Sequence, residues 1–259
     1  MIVVGELINS TRKEIFDAID NKKIDFIREI AKKQEQSGAS FIDVNAGIFL
    51  EREEEVIEWL VTEIQQVVSV PLCIDSPNPL AIEAGLRAHK GKALINSITG
   101  EKARFEKIAP LVTQYGASVI ALCMDDKGMP ETSGDRLRVA DDLVYRLTEL
   151  GVPKENIFFD PLVTPVSVNS LYGNEVLETI RGIMTKHVGV HTICGLSNVS
   201  FGLPKRKILN QAFLVMAMAA GLDGAILNPL DERIMELIKA TEALNGRDEY
   251  CLRYVEEFG

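Results

Sequence analysis

The stretch that decides the fold is REEEVIEWLVTEIQQVVSVPLCID, residues 52–75, because a helix pattern and a strand pattern follow each other within it. Its apolar residues first recur at a spacing of 3.6 residues, which is typical of a helix that buries one face. They then form the short run Leu72–Asp75, which is typical of a strand buried on both faces. The apolar positions of the helical part are Val56, Ile57, Leu60, Val61, Ile64, Val67 and Val68.

The same unit repeats about every 30 residues along the chain, which predicts eight strand and helix pairs. This repeat favours an α/β fold, a (β/α)8 TIM barrel that forms a single domain over residues 1–259. An open doubly wound sheet is the alternative, but no GxGxxG opens a helix. The predicted strands are Ile2–Gly5, Ser40–Val44, Leu72–Asp75, Ala93–Asn96, Ser118–Met124, Ile157–Asp160, Thr192–Leu196 and Gly224–Leu227. Further helices are predicted at 23–37, 133–150, 170–187 and 205–220, and one long helix or two at 231–258.

Composition limits the classes of partner. The formal net charge of −10 makes a nucleic-acid partner improbable, because phosphate binding needs clustered basic residues. No apolar stretch is long enough to span a bilayer, and the first residues resemble no signal peptide, so we expect a cytoplasmic protein without a membrane partner. The four cysteines are widely spaced and the three histidines are scattered without HExxH, so we expect free thiols and no bound metal.

Acids and amides dominate the carboxyl ends of the predicted strands, where the active sites of such barrels lie. Carboxylates accept hydrogen bonds from ring N–H and amino groups, and carboxamides both donate and accept, so this set suits a neutral heterocycle rich in donors. Each single residue could instead cap a helix or a turn. The residues in question include Glu6, Asn9, Asp43, Asn45, Asp75, Asn96, Met124, Asp160, Ser197, Asn198 and Asn228.

Together the motifs around the ends of the predicted strands resemble those of a known family. The motifs are VGELIN (4–9), DVNAG (43–47), CIDSPNPLAIEAGL (73–86), LINSITGE (94–101), FFDPL (158–162) and GLSNVSFGLPKR (195–206). They are similar to those of the pterin-binding methyltransferases, specifically the methyltetrahydrofolate:corrinoid protein methyltransferases and the folate module of cobalamin-dependent methionine synthase. The resemblance covers essentially the whole chain.

The resemblance implies that methyltetrahydrofolate binds at the mouth of the barrel as a substrate. By motif, Asp75, Asn96 and Asp160 hold the pterin edge, and Asn198 approaches N5, with Asn198 and Asp160 as the catalytic residues. Gly195 and Ser197 shape the loop that carries Asn198, and Arg206 occupies the family's basic position after that loop. The remaining substrate-binding candidates are Asp43, Asn45, Asn9, Glu6 and Met124. The resemblance also implies a cobalamin carried by a separate corrinoid protein, and a homodimer.

The chemistry explains why an amide would stand near N5. A neutral tertiary amine would leave as a very basic anion, so N5 needs a proton or a strong hydrogen bond before the methyl group departs. The carboxamide of Asn198 can donate to the N5 lone pair or accept from N5–H, while a cap of the following helix is the structural alternative.

Three other functions stay open at this point. Dihydropteroate synthase shares the barrel and a pterin pocket, although its basic C-terminal motif has no match. A barrel lyase or aldolase would need a lysine or a metal site at the carboxyl ends of the strands, and neither is found there. A non-catalytic pterin-binding subunit of a corrinoid complex would bind folate without transferring methyl groups. The direction of transfer, toward acetyl-CoA synthesis or during demethylation, is also open.

Overall fold

The computed structural model describes residues 1–259 and contains a closed barrel of eight parallel strands. Each strand pairs with its neighbours in sequence, and β1 closes the barrel by pairing with β8. The predicted TIM barrel is thereby confirmed. The strands are β1 (Ile2–Asn9), β2 (Phe41–Asn45), β3 (Leu72–Asp75), β4 (Leu94–Thr99), β5 (Ser118–Leu122), β6 (Ile157–Asp160), β7 (His191–Gly195) and β8 (Gly224–Leu227).

Ten α-helices surround the strands. They are α1 (Lys13–Asp20), α2 (Ile24–Gln36), α3 (Glu53–Ile64), α4 (Pro79–Ala88), α5 (Lys102–Tyr115), α6 (Ser133–Glu149), α7 (Tyr172–Lys186), α8 (Arg206–Ala220), α9 (Glu232–Leu244) and α10 (Leu252–Phe258). The predicted helix pattern at 231–258 is therefore two helices, and none of the ten is long and apolar enough to cross a membrane.

Several strand ends differ from the prediction. β1 continues to Asn9 although Glu6 interrupts its apolar run, and its pairing with β2 shifts register between Gly5 and Ile8. β5 ends at Leu122, so Met124 lies in the following loop. Polar residues inside β1 are tolerated because this end of the strand opens onto the mouth of the barrel, where water reaches them.

The inside of the barrel is filled by one apolar layer below the mouth. Its members are Val4, Cys73, Leu94, Ile120, Phe158 and Ile193. Because side chains alternate across a strand, the residue two positions further along each strand faces the same interior. Those next residues include Glu6, Asp75, Asn96, Leu122, Asp160 and Gly195. The apolar layer is thus the floor on which the polar mouth rests.

All four cysteines have free thiols in the structure. Cys73, Cys123 and Cys194 are buried, as their apolar surroundings in the sequence indicate, while Cys251 is exposed.

Candidate active site

The ends of β1 to β4 carry a row of polar side chains in register. Asn9 pairs with Asn45, Asn45 with Asp75, and Asp75 with Asn96 across the four strands. Asn45 Nδ2 donates to Asp75 Oδ2 at 2.9 Å, while Asn45 Oδ1 accepts from Ser10 Oγ at 3.2 Å and from the Gly47 N–H at 3.1 Å. These bonds fix the orientation of the Asn45 carboxamide and hold the Asp75 carboxylate in one place.

Asp75 retains oxygen acceptor sites for a ligand. Burial raises the pKa of its carboxyl group, the Asn45 hydrogen bond and Arg104 lower it, and the nearby Glu53 raises it. Its Oδ1 accepts no hydrogen bond from the protein, so the carboxylate can receive a donor from the mouth.

Arg104, which the sequence motifs did not indicate, holds the two strand ends around Asp75. Its Nη2 donates to the carbonyl oxygens of Ser76 at 2.9 Å and Ser97 at 2.7 Å, and its Nη1 donates to that of Pro77. Because the guanidinium bridges the loops that follow β3 and β4, it fixes the spacing between Asp75 and Asn96.

Asp43 lies one layer below the row, beside Cys73, and is only 3% exposed. Burial first, and then the neighbouring Asp75 carboxylate, raise the pKa of Asp43 well above its usual range, while Cys73 and Asn96 lower it. The surroundings of Asp43 therefore favour the protonated form of its carboxyl group. Its register with Cys73 places it at the level of the apolar layer, one layer below the Asn45 and Asp75 side chains.

Asp160 stands at the end of β6, across the mouth from Asp75. Its Oδ1 accepts the Leu162 N–H at 2.7 Å. Burial raises the pKa of Asp160 to about 6, against the lowering effects of that backbone N–H and of Arg136. The carboxyl group thus titrates close to neutral pH, which is the range that suits proton transfer.

Arg136 is a second arginine that the sequence motifs did not indicate. It is fully buried in the first turn of α6, where Nε donates to the Pro161 carbonyl at 2.7 Å and Nη1 to the Glu131 carbonyl at 3.2 Å. Its Nη2 has no partner in the protein. The buried cation holds the chain that follows Asp160 and favours the ionised form of that carboxyl group.

The loop after β7 carries Asn198 in a short 3-10 turn, Leu196–Ser200. A Cβ on Gly195 would come within 3.3 Å of Asn198 Nδ2, so the amide folds back over the end of β7. The Asn198 side chain is exposed and forms no hydrogen bond within the protein. It does not cap α8, which begins at Arg206 with Lys205 as its N-cap, so the capping alternative for Asn198 is wrong.

Arg206 secures this turn from the first residue of α8. Its Nη2 donates to the Ser197 carbonyl at 2.7 Å, and its Nε donates to Ser200 Oγ at 3.0 Å. Ser200 Oγ in turn donates to Asn210 Oδ1 at 2.7 Å. Ser197 and Arg206 therefore hold the backbone around Asn198, whose amide stays free.

The three other predicted site residues lie at the edge of the mouth. Glu6 stands 3.6 Å from Arg12, and burial raises its pKa while Arg12 and Arg206 lower it. Asn9 Oδ1 accepts from Thr11 Oγ1 at 2.7 Å within a turn, and Met124 accepts the Gly100 N–H through its carbonyl at 2.8 Å. Asn9 is thus the β1 member of the polar row, and Met124 is bonded to the loop that follows β4.

The mouth as a whole presents carboxylates and carboxamides above an apolar layer. No three His, Cys, Asp or Glu side chains are grouped so that they could hold a metal ion. Such a surface matches a flat heterocycle that offers several N–H donors along one edge.

Comparison with known proteins agrees with this chemistry. Residues 5–228 match the model of the pterin binding enzyme family, and the chain belongs to that family. It is an enzyme of the pterin-binding class built on a single barrel.

Two curated relatives are informative. The chain is 34% identical over 260 residues to the methylcorrinoid:tetrahydrofolate methyltransferase of Eubacterium limosum, covering 100% of this chain and 96% of the relative. It is 31% identical over 241 residues to the methionine synthase of Mycobacterium leprae, covering 88% of this chain and 20% of that much longer protein.

Solved structures confirm the fold. Yersinia pestis dihydropteroate synthase with a pterin–sulfa conjugate matches with a TM-score of 0.72 at 19% identity, covering 95% of this chain and 93% of the other. The Thermus thermophilus enzyme matches with a TM-score of 0.69 at 19% identity, covering 94% of each chain.

Proposed function

We propose that the protein transfers a methyl group between N5 of tetrahydrofolate and the cobalt of a corrinoid carried by a separate protein. The observation that carries this proposal is the pairing of a rigid acceptor row, Asn45 bonded to Asp75 at 2.9 Å, with a free carboxamide at Asn198. The relative from Eubacterium limosum, similar over the full chain, supports the same reaction and the direction from methylcorrinoid to tetrahydrofolate.

In that direction the N5 lone pair attacks the cobalt-bound methyl carbon. The cobalt–carbon bond breaks, both of its electrons stay on cobalt as Co(I), and the product N5 loses its proton. In reverse, Co(I) attacks the methyl group of protonated methyltetrahydrofolate, and N5 leaves as a neutral amine. Every step is a two-electron displacement, so no outside oxidant or reductant takes part.

Asn198 acts at N5 in both directions. Its carbonyl oxygen accepts from N5–H when N5 is protonated, and its NH2 donates to the lone pair when N5 is free. Preorganised polar groups of this kind contribute on the order of 3–4 kcal/mol to a transition state. The Arg206 clamp on Ser197 and the absence of a Cβ at Gly195 support this role, because together they hold the turn and leave room for the amide.

Asp75, Asn96 and Asp160 form the binding edge for the pyrimidine part of the pterin in this proposal. Asp160 also manages the proton, because its pKa of about 6 allows it to accept a proton from the bound pterin and return it near pH 7. Asn45 and Arg104 act as positioning residues for Asp75 and Asn96.

The first experiment separates this function from its alternatives. Purified protein is mixed with tetrahydrofolate and methylcobalamin, or with a methylated corrinoid protein, and Co(I) and methyltetrahydrofolate are measured. Equal amounts of both products are expected. Folate binding without transfer would instead indicate a non-catalytic pterin-binding subunit. Condensation of hydroxymethylpterin pyrophosphate with p-aminobenzoate would indicate a dihydropteroate synthase.

A homodimer and a cytoplasmic location are further expectations of this proposal. The oligomeric state is measured by sedimentation of the purified protein.

A further inference from the structure

Two glutamate side chains are buried in this protein, Glu53 and Glu242. Glu242 is paired with cations, because it faces the N-terminal amine of Met1 and stands 3.6 Å from Arg253. Glu53 is only 4% exposed and forms no ion pair. A buried carboxylate without a cation is costly and therefore uncommon, so the placement of Glu53 points to a role beyond packing.

Glu53 begins α3 and lies beside the ends of β2 and β3. It is the first of three consecutive glutamates, and the other two, Glu54 and Glu55, are exposed. Its charge stands at the positive end of the dipole of α3, which offsets part of the cost of burial. A Cβ on Gly47 would lie 3.8 Å from Glu53 Oε1 and 3.6 Å from Asn45 Oδ1, so the carboxylate reaches the turn that fixes the Asn45 carboxamide.

Ser76 connects Glu53 to the polar row. The Ser76 hydroxyl donates to Glu53 Oε1 at 2.6 Å, a shorter contact than the 3.3 Å to the alternative acceptor, the Asn78 carbonyl. The same hydroxyl oxygen accepts the Asn78 N–H at 2.9 Å. Ser76 is fully buried and directly follows Asp75, so the bond to Glu53 fixes the chain next to the residue whose carboxylate faces the mouth.

The backbone of Ser76 is bonded on both sides as well. Its N–H donates to the Asn96 carbonyl at 3.1 Å, and its carbonyl accepts from Arg104 Nη2 at 2.9 Å. Every polar group of Ser76 therefore has a partner, and Glu53 is the partner that α3 supplies. Without Glu53, the hydroxyl would keep only local contacts within its own turn, and the turn would lose its link to the helix.

The Asp75 carboxyl group is thus held from two directions. Asn45 donates to the carboxylate itself at 2.9 Å, and Ser76 and Glu53 hold the backbone that follows it. Burial is the main cause of the raised pKa of Asp75, and the charge of Glu53 adds to it against the lowering effects of Asn45 and Arg104. The two acids are therefore neighbours across the end of β3.

This inference rests on the proposed function, in which Asp75 accepts hydrogen bonds from the edge of the pterin. A flat edge of N–H donors binds best to an acceptor that is already in place, because no ordering of the acceptor then opposes binding. We propose that Glu53 is a positioning residue for folate binding, which holds Asp75 in place through the hydrogen bond to Ser76. It contributes to folate affinity and does not act on N5.

The test is a double-mutant cycle between Glu53 and Asp75, with the Kd of tetrahydrofolate measured by fluorescence titration without a methyl donor. Glu53→Ala is expected to raise the Kd about tenfold on its own, because a hydrogen bond to a charged group is lost. When Asp75→Asn is already present, the further increase should be less than about twofold, since the residue that Glu53 positions is then already impaired. The single-turnover rate at saturating folate should stay within about threefold of wild type.

Three further variants isolate the hydrogen bond. Glu53→Gln keeps an oxygen that accepts from Ser76, so it should restore the Kd to within about threefold of wild type. Glu53→Met fills the same space without an acceptor and carries the expectation of the alanine variant if that variant does not fold. The matched control is Glu54→Ala, at the exposed next position of α3, which should leave the Kd unchanged.

The contrary outcomes are distinct. A normal Kd in the alanine and methionine variants would overturn the positioning role and leave the proposed function intact. An equally large loss with Asp75→Asn present would overturn it too, because Glu53 would then act independently of Asp75. A glutamine variant as weak as the alanine variant would assign the effect to charge and overturn the link through Ser76. If the wild-type protein binds no tetrahydrofolate, the proposed function fails, and the role of Glu53 fails with it.

Discussion

At the ends of β1 to β3 the side chains of Ser10, Asn45 and Asp75 are joined by hydrogen bonds, whereas at the ends of β6 and β7 the polar side chains bond to backbone groups or remain free. Asn45 holds Asp75 directly, but Asp160 is held by the Leu162 N–H, and the amide of Asn198 has no partner. Under the proposed function, the first half of the mouth recognises a fixed pattern of donors on the pterin, and the second half keeps polar groups available for the reacting N5.

The two halves also differ in how their arginines act. Arg104 ties two strand ends of the first half together through carbonyl oxygens, and Arg136 and Arg206 do the same for single loops of the second half. In each case the cation orders backbone and leaves the acids and amides to face the ligand. If the first half binds the pterin and the second half acts at N5, substitutions in the first half should weaken folate binding, and substitutions in the second half should slow methyl transfer.

Removal of the Asn198 amide should have the largest effect. In Asn198→Ala the single-turnover rate of methyl transfer is expected to fall about 10²- to 10³-fold, as for the loss of one preorganised group at a transition state. The Kd for tetrahydrofolate should change by less than about threefold. Asn174→Ala, an exposed position in the first turn of α7, serves as the control. A near-normal rate with bound substrate would remove Asn198 from the mechanism.

Asp75→Asn should weaken folate binding strongly and change the transfer rate little, the reverse of Asn198→Ala. The loss of one charge-assisted acceptor is expected to weaken tetrahydrofolate binding about 10- to 100-fold, because such hydrogen bonds contribute about 1.5–3 kcal/mol. The transfer rate at saturating folate should fall much less. Fluorescence titration measures the affinity, with Asp126→Asn in the exposed loop after β5 as the control. If the variant binds normally and reacts slowly, the two halves do not divide binding from chemistry.

The titration of Asp160, in the second half of the mouth, should make folate affinity depend on pH. Its pKa of about 6 in the free enzyme means that it is mostly ionised at pH 7 and mostly protonated at pH 5. A pterin N–H needs the ionised form, so affinity should fall by up to about tenfold per pH unit below 6. Titrations from pH 5 to 8 measure this, after correction for protonation of the free folate. In Asp160→Asn the dependence should disappear; its persistence would assign the titration to another group.

The sequence was sufficient for the fold and for most of the mouth, because both depend on local patterns. Buried parallel strands are short apolar runs, and the residue that ends each run lies at the mouth by topology. Asp75, Asn96 and Asp160 were therefore placed at the mouth correctly. The extension of β1 past Glu6 was missed, because a polar residue inside a strand is tolerated only where the strand meets the open mouth.

The arginines could not be predicted in the same way. Arg136 acts on the Pro161 carbonyl, and Arg104 acts on that of Ser76, each more than twenty residues away in sequence. Every residue carries a backbone carbonyl, so an arginine that bonds to one has no partner that could be recognised from the sequence. The depth of Asp43 was hidden for a similar reason, since Asp43 and Asn45 look alike at a strand end and only the register places Asp43 beside Cys73.

Asp43→Asn gives the smallest effect on function and tests whether the first half depends on hydrogen bonds or on charge. The pKa of Asp43 in the folded protein is raised well above its usual range by burial, whereas an unfolded aspartate titrates near pH 4, so folding favours the protonated carboxyl group. The raised pKa of Asp43 therefore adds to the free energy of unfolding of the wild-type protein at low pH, and this contribution is lost as the pH rises above about 4. A neutral asparagine undergoes no such change. The free energy of unfolding of the variant, relative to wild type, should increase between pH 4 and pH 7 in urea titrations, while folate affinity stays within about threefold. A variant less stable than wild type by the same amount at both pH values would mean that Asp43 is ionised in the folded protein and that the row above it is held by charge.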